Sequence, residues 1–441
     1  MVGTQKADAT VGSSAMRKAL WRILPLIALA YLFAFMDRVN VSFAATQMNE
    51  DLKFSATIYG LGGGLFFLGY ALFEIPSNLM LVRFGARKWI ARIMISWGLL
   101  SAAMLFVHTP MHFYVLRFLL GVAEAGFYPG VIYYFSGWFP VCHRGRAVSR
   151  FYIASPLASV VMGAISGSLL SLDGIAGLHG WQWLFLVQGL PTVLVGLIVL
   201  RLLPDRPATV NWLTPSEKDW IHSELQREQV RIGEPGKHHV LAAFQNPKVL
   251  LLGAIGFLII GVITTFILSA PMILAGATNL DTYRVGYLVS FGGLVGAGAM
   301  LWAGNYADRN GDRFLNAFWF SVVLACTLLV ISISPAPTIV IVAYLAFAAA
   351  CFTVPMLTSS GWAEVLHVRE LAVGAAAINT LSQIGAFVSP FAWGVARDAT
   401  GSFRLGLGAL MLMTVALAIL ILVLRTQVRS GYLAVPVVRP I

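Results

Sequence analysis

The sequence predicts an all-α membrane protein whose twelve transmembrane helices form two pseudo-symmetric bundles of six. Three observations support this fold class. Of the 441 residues, 58% are hydrophobic and 11% are charged, whereas soluble domains carry about 25% charged residues. Apolar segments of about 20 residues, the length that crosses a bilayer, recur along the chain. The longest polar stretch, 204–247, divides these segments into two sets of six.

The apolar segments are named spans 1 to 12, and in chain order they lie near 20–45, 56–81, 89–107, 112–138, 147–171, 181–203, 249–273, 284–304, 315–334, 336–359, 371–393 and 404–425. The first is longer than a signal-peptide core, so we expect it to be retained as a span. The pattern predicts five regions: a tail at 1–19, a bundle at 20–203, a linker at 204–247, a second bundle at 248–425 and a tail at 426–441.

The linker contains a helix-start signal. Thr214-Pro215-Ser216-Glu217 has the pattern of a capping box with proline at the first helical position. It predicts a short amphipathic helix over 215–231. Such a helix lies either on the membrane surface or in solvent as a linker element.

Lysine and arginine residues concentrate on one side of the predicted topology. With the N-terminus inside, the outer segments hold four of them, Lys53, Arg284, Arg397 and Arg404. The positive-inside rule therefore predicts that both termini are cytoplasmic. Membrane orientation accounts for most of the net charge of +11, so we expect a lipid bilayer and no nucleic acid as partner. The three cysteines show no paired spacing, and we expect no metal site and no cofactor.

Five ionisable side chains fall well inside the spans: Asp37, Arg38, Glu74, Arg117 and Glu124. Such a residue costs from about 2.5 to over 10 kcal/mol at bilayer depth, so it is expected to face a wet cavity or a partner. Arg117 and Glu124 share one helix face, roughly 10 Å apart along the axis. The rise per residue places Asp37 between them in depth. Whether spans 1 and 4 touch is left open.

Two matching turns indicate an internal repeat. Arg83-Phe84-Gly85-Ala86-Arg87 follows span 2, and Arg309-Asn310-Gly311-Asp312-Arg313 follows span 8, the second span of the second set. Two six-span halves related in this way are typical of transporters, whose solute site lies between the halves near the middle of the membrane.

Six further stretches stand out as motifs: Asp37-Arg38-Val39-Asn40, Tyr70 to Asn78, Arg83 to Arg92, Arg117 to Gly130, Trp212 to Lys218 and Gly304 to Arg313. Together they resemble the anion:cation symporter family of the major facilitator superfamily, especially its tartrate-transporter-like organic-acid permeases. The resemblance covers nearly the whole chain. It implies the major facilitator fold and proton-coupled uptake of a small carboxylate across a bacterial inner membrane. Two departures are Val82, where the superfamily usually has an acid, and 264–271, where the family often has an aromatic-rich stretch.

The resemblance supports roles for four of the intramembrane residues. Arginine binds a carboxylate with two parallel hydrogen bonds, so Arg38 is expected to bind the substrate carboxylate. Asp37 and Glu124 are expected to take up protons, and their protonation to free or re-aim Arg117. The alternative is a buried charge network that only holds spans 1 and 4 in register.

Other polar residues are weaker candidates. Tyr70 matches a pocket-lining position of the family but could be a packing tyrosine, and Glu74 could be part of a gate or a structural hydrogen-bonding group. Asn379 and Gln383, one turn apart in span 11, could bind substrate hydroxyls or join helices as polar contacts.

Asp308, Arg309 and Arg313 are expected to form a gating latch on the cytoplasmic side. Breaking such a latch should alter the balance between inward and outward states more than substrate affinity.

The leading hypothesis is a monomeric secondary transporter that takes up a small organic anion with protons by alternating access. The anion would be a tartrate-like hydroxy acid, a sugar acid or an aromatic carboxylate. An organic-anion exchanger or exporter on the same fold is the first alternative, and a membrane sensor without net flux is another. An enzyme is not expected, because the sequence has no nucleophile–base pair and no cluster of metal ligands.

Overall fold

The computed structural model describes residues 2–232, 244–366 and 368–430. The side chains of 2–9, 229–232, 308, 363 and 368–373 lie outside this description. Eleven helices within it are long and apolar enough to cross a membrane. The 33-residue helix Val368–Thr400 supplies span 11 and completes the twelve predicted spans. The fold class predicted from the sequence is confirmed.

The N-terminal half contains spans 1 to 6, which are Val2–Asp51, Ala56–Phe84, Ala86–Ala103, Pro110–Glu124 continued by Phe127–Ser136, Val141–Tyr152 continued by Ala154–Leu170, and Gly180–Leu202. The C-terminal half contains spans 7 to 12, which are Pro247–Thr278, Thr282–Asn310, Arg313–Ile333, Pro337–Ser360, Val368–Thr400 and Arg404–Arg429. Four short helices, Met104–Phe106, Ile175–Gly177, Pro207–Thr209 and Trp362–Val365, lie in the connections.

The linker helix, Pro215–Ile232, begins with the predicted capping box. The Thr214 N–H donates to a Glu217 carboxylate oxygen at 2.9 Å, and the Glu217 N–H donates to Thr214 Oγ1 at 3.3 Å. Lys18 and Ser14 of span 1 donate to the same carboxylate at 2.9 and 2.8 Å. The helix is thus docked against the start of span 1. We call the end of the helix bundle that carries this linker helix the linker side. The other end of the bundle is called the opposite side.

Span 4 is broken where the sequence predicts one continuous helix. Its first part ends at Glu124, Ala125 leaves the helical conformation with ψ 133°, and Gly126 adopts a left-handed conformation with φ +83°. Ser77 of span 2 donates to the Ala125 carbonyl oxygen at 2.6 Å and accepts a hydrogen bond from Trp89 Nε1 at 3.0 Å. A Cβ on residue 126 would lie 2.5 Å from Ser77 Oγ. The break therefore needs a glycine at residue 126, because the backbone there is left-handed and a side chain would not fit beside Ser77.

The two halves pack closely on the opposite side. Gly163 of span 5 and Gly286 of span 8 each face the other's carbonyl oxygen, with no room for a side chain. The Asp398 carboxylate of span 11 accepts hydrogen bonds from the Ala56 and Thr57 N–H groups at 3.0 and 2.8 Å, so it caps span 2. The Tyr59 hydroxyl donates to the Leu268 carbonyl oxygen at 2.8 Å. These contacts close the opposite side.

Candidate functional site

A cavity of about 300 Å³ lies between the two halves. Arg38, Tyr70 and Glu124 line it from the N-terminal half, and Asn379 and Gln383 line it from the C-terminal half. It extends toward Trp362, which follows the linker-side end of span 10. The structure thus brings together five of the side chains singled out in the sequence.

Arg38 forms an ion pair with Glu124 at the cavity wall. Its Nε and Nη2 atoms both donate to Oε1 of Glu124, at 2.9 and 2.5 Å. Glu124 is completely buried, whereas 24% of the Arg38 side chain is exposed. Spans 1 and 4 therefore touch through this pair, which answers the question the sequence left open.

The guanidinium of Arg38 is also surrounded by aromatic rings. Its Cζ atom lies 5.2, 5.7 and 5.4 Å from the ring centroids of Phe35, Phe66 and Tyr70. Rings within about 6 Å attract a cation through their negative faces. They hold the guanidinium in place and leave part of it facing the cavity.

Asp37 lies behind the cavity wall in a polar cluster. It accepts hydrogen bonds from the Ser101 hydroxyl and from Asn40 Nδ2, the latter at 3.4 Å. Asn40 also donates to Gln188 of span 6. Sequence reasoning missed Ser101 and Gln188 as partners, although a glutamine inside a span is itself a signal of such a contact.

Arg117 is buried behind the ring of Phe66. Its Cζ lies 4.9 Å from that ring, on which Arg38 also packs, and 1% of the residue is exposed. Within the described part of the chain, no carboxylate oxygen lies within 4.0 Å of its nitrogens. The cation paired with Glu124 is thus Arg38, whereas the sequence hypothesis linked protonation to the movement of Arg117.

Glu74 and Asn379 connect the two halves on the linker-side part of spans 2 and 11. Asn379 Nδ2 donates to both carboxylate oxygens of Glu74, at 2.7 Å each. Glu74 is buried. Asn379 therefore contacts an acid of the other half while it lines the cavity. Gln383 lies one turn away from Asn379 and is buried, like Glu74.

The residues of the predicted latch lie at the linker-side ends of spans 8 and 9. Arg313 donates to the Ser360 carbonyl oxygen at 3.0 Å and lies 3.8 Å from a Glu364 carboxylate oxygen. Arg309 is exposed, and the side chain of Asp308 lies outside the described residues.

Asp312, which the sequence reasoning did not single out, pairs with two arginines of span 12. Its Oδ2 lies 2.8 Å from Arg425 and 2.6 Å from Arg429. Burial raises the pKa of Asp312, but the Arg425 hydrogen bond, the Leu315 N–H and both arginine charges outweigh it and lower that pKa overall. The corresponding turn after span 2 holds an Arg87–Asp205 pair at 3.0 Å.

A family model for the major facilitator superfamily matches residues 27–390. The chain belongs to the major facilitator superfamily. Like other members of the superfamily, it is a multi-pass membrane transporter, and two of its relatives are named as putative tartrate transporters. Its cavity lies where the two halves of such transporters meet.

Among its relatives is the "Putative tartrate transporter" of Agrobacterium vitis, 40% identical over 96% of this chain and 97% of the relative. A "Quinolone resistance transporter" of Acinetobacter baumannii is 37% identical over 89% of this chain and 90% of the relative. The fold is similar to that of a bacterial homologue of the lysosomal transporter Spinster, solved in an inward-facing and occupied conformation. The TM-score is 0.74 at 15% identity, covering 94% of this chain and 98% of the other.

Proposed function

We propose that this superfamily member takes up a small organic anion together with protons by alternating access. The single observation that carries the proposal is the Arg38–Glu124 ion pair in the wall of the cavity. The relative named for tartrate supports a carboxylate as the substrate.

The ion pair links the anion to the proton because both act on one guanidinium. A substrate carboxylate that binds Arg38 displaces the Glu124 carboxylate, which is then buried without its cation. Leaving a buried charge unpaired costs about 3–5 kcal/mol, so the displaced Glu124 takes up a proton. By linkage, protonation of Glu124 favours anion binding as strongly as anion binding favours protonation.

Asp37 is the second proposed proton site, and Arg117 the charge that balances it. Both are buried, and Asp37 connects through Asn40 and Gln188 to span 6. A change in the protonation of Asp37 alters which hydrogen bonds Ser101 and Asn40 make, and so acts on the packing of spans 1, 3 and 6. Tyr70 and Gln383 are proposed to contact the bound anion.

Alternating access requires the cavity to open to each side in turn. We assign the linker side to the cytoplasm of a bacterial inner membrane, because lysines and arginines concentrate there. The close packing of spans 5 and 8 on the opposite side then makes this a state closed to the outside, in which the Glu74–Asn379 contact on the cytoplasmic side is also formed. Glu74 with Asn379, and Arg309 and Arg313 with Asp308, are proposed as gating contacts on the cytoplasmic side, in a carrier that acts as a monomer.

The test is substrate-induced proton flux in proteoliposomes that contain a pH-sensitive dye. An inward gradient of a carboxylate substrate should drive protons inward in the wild type. Glu124→Gln should bind the anion with strongly reduced proton flux, since Asp37 is then the one proposed proton site that remains. Undiminished proton flux in Glu124→Gln would overturn the role given to this residue, and transport of neutral solutes alone would overturn the role of Arg38.

Export is the second candidate, and the relative named for quinolone resistance favours it. The same ion pair would couple anions or zwitterions to protons moving in the opposite direction. Loading proteoliposomes of known orientation from either side, with the proton gradient reversed, distinguishes the two. Net movement of the solute against an inward proton gradient identifies an exporter.

A further inference from the structure

The wall of the cavity beside Arg38 is aromatic. Tyr31 lies 4.9 Å from Phe35, 6.1 Å from Tyr128 and 6.0 Å from Tyr152 between ring centroids, and all four rings line the cavity. This group of rings, with Tyr70, is the aromatic wall. Aromatic surfaces of this kind pair favourably with a further ring by edge or offset stacking.

The facing wall, from span 7, is largely aliphatic. Its cavity-lining residues are mainly isoleucines on one helix face, Ile255, Ile259, Ile260, Ile263 and Ile267. A ring that rests on the aromatic wall would therefore have an apolar surface on its other side. The two walls fit a flat apolar body better than a chain of hydroxylated carbons.

Four of the polar groups that line the cavity from the C-terminal half already donate elsewhere. The hydroxyls of Thr358, Ser359 and Ser382 donate to carbonyl oxygens of their own helices at 2.9, 3.3 and 2.8 Å. The Asn379 amide donates to Glu74. To receive hydrogen bonds from these four groups, a sugar acid or tartrate would have to break the bonds that they already make.

The charge of the cavity fits one carboxylate. Among the described residues that line it, Arg38 is the cation and Glu124 the acid. Protonation of Glu124 leaves a single positive charge. A second carboxylate on the substrate would lose water without gaining a cation, which is costly in an apolar site.

We propose that the cavity selects an aromatic monocarboxylate over dicarboxylic and polyhydroxylated acids. The carboxylate binds Arg38, and the ring rests between the aromatic wall and the span 7 isoleucines. This selectivity rests on the proposed function, because it assigns a substrate class to the same site. The proposal predicts that this chain prefers an aromatic acid, whereas its relative from Agrobacterium vitis is named for tartrate.

The test is calorimetric titration of the purified full chain in detergent with benzoate, cyclohexanecarboxylate, tartrate and gluconate. Benzoate should bind at least about tenfold more tightly than tartrate or gluconate. Cyclohexanecarboxylate, which has the same charge but no aromatic face, should lie between them. Equal or tighter binding of tartrate or gluconate overturns the proposal, as does failure of benzoate to bind.

A matched pair of variants tests the aromatic wall itself. Tyr128→Leu should weaken benzoate binding by about fivefold, the energy of one ring contact, whereas Tyr128→Phe should remain within about twofold of the wild type because it keeps the ring. Equal affinities in both variants overturn the role of the wall.

Proton flux driven by the tightest-binding acid tests the proposed function separately. If that acid is benzoate but it moves no protons, the selectivity stands and proton coupling fails. If tartrate alone moves protons, the coupling stands and the selectivity is overturned.

Discussion

Asn379 of span 11 donates to both carboxylate oxygens of Glu74 in span 2, at 2.7 Å each. Each half of the protein thus supplies one partner of a hydrogen-bonded contact beside the cavity. Under the proposed alternating access, opening and closing of the linker side would change the surroundings of this contact. It is therefore a direct point at which to test the coupling between the halves.

Exchanging the two partners should preserve the contact, whereas changing one should destroy it. Asn379→Asp places two carboxylates against each other in a buried site, and we expect uptake to fall at least about tenfold. The double variant Glu74→Gln with Asn379→Asp restores an acid–amide pair and should recover to within about threefold of the wild type. Uptake measured in proteoliposomes checks this, and a double variant no better than Asn379→Asp would contradict it.

The break in span 4 should not tolerate a side chain at residue 126. Gly126→Ala adds a Cβ 2.5 Å from Ser77 Oγ in a left-handed backbone, and the expected loss of stability is about 2 kcal/mol or more. Gly137→Ala is the matched control, because its φ is −86° and its Cβ would meet its nearest neighbour at 3.6 Å. Thermal unfolding in detergent should show a clear loss for Gly126→Ala alone, and equal melting temperatures would contradict the prediction.

The seam between spans 5 and 8 should control closure of the opposite side. Gly163→Ala adds a Cβ that clashes with the Gly286 carbonyl oxygen, so this side should stay open and uptake should fall at least about tenfold. Gly298→Ala, in span 8 with nothing within 4 Å of its Cβ, should behave as the wild type.

Labelling of cysteines introduced along the cavity wall, with reagent added from the opposite side, measures this opening. Increased labelling is expected in Gly163→Ala. Labelling at the wild-type level in that variant would show that the seam is not needed for closure.

Docking of the linker helix should depend on pH in acid. Burial raises the pKa of Glu217, but the hydrogen bonds from Lys18, Thr214 and Ser14 outweigh it and lower that pKa to about 2 from the ordinary 4.5. Because the folded pKa is depressed, the contribution of the carboxylate is complete above about 4.5 and is lost as the pH falls toward about 2. The mobility of a spin label at Ser223→Cys, in a background with the native cysteines replaced, should rise across this range.

Two variants test the Glu217 carboxylate and the Thr214 cap separately. Glu217→Gln should remove most of the pH dependence of the label. Thr214→Ala should keep the pH dependence but loosen the helix start by about 1 kcal/mol, the usual loss from removing a cap. A label in Glu217→Gln that still responded to acid as in the wild type would assign the effect to another group.

Much of the fold could be predicted because the responsible signals are local. Twelve apolar segments of bilayer length are visible in the sequence, and each corresponds to a helix within the described residues. The capping box at Thr214 and Glu217 needs only residues three positions apart, and it forms as predicted.

The partners within the site could not be predicted, because they depend on how each helix is rotated about its axis. Residue counting gives the depth of Glu124 but does not tell whether Arg38 or Arg117 faces it. The break after Glu124 was missed because apolar periodicity does not detect one left-handed residue, although Gly126 in the middle of a span was a signal. The contact of Asn379 with Glu74 joins residues 305 positions apart and needs the packing of the halves.

The Asp398 carboxylate, bound to the first N–H groups of span 2, has a consequence for the speed of the carrier. Under alternating access, this acid must leave the helix end each time the opposite side opens, and water must replace it there. Losing such a cap costs about 0.5–2 kcal/mol, so every turnover includes the fraying of a helix end. Substitutions at Asp398 should therefore change the turnover rate of the protein while leaving its affinity for the solute unchanged.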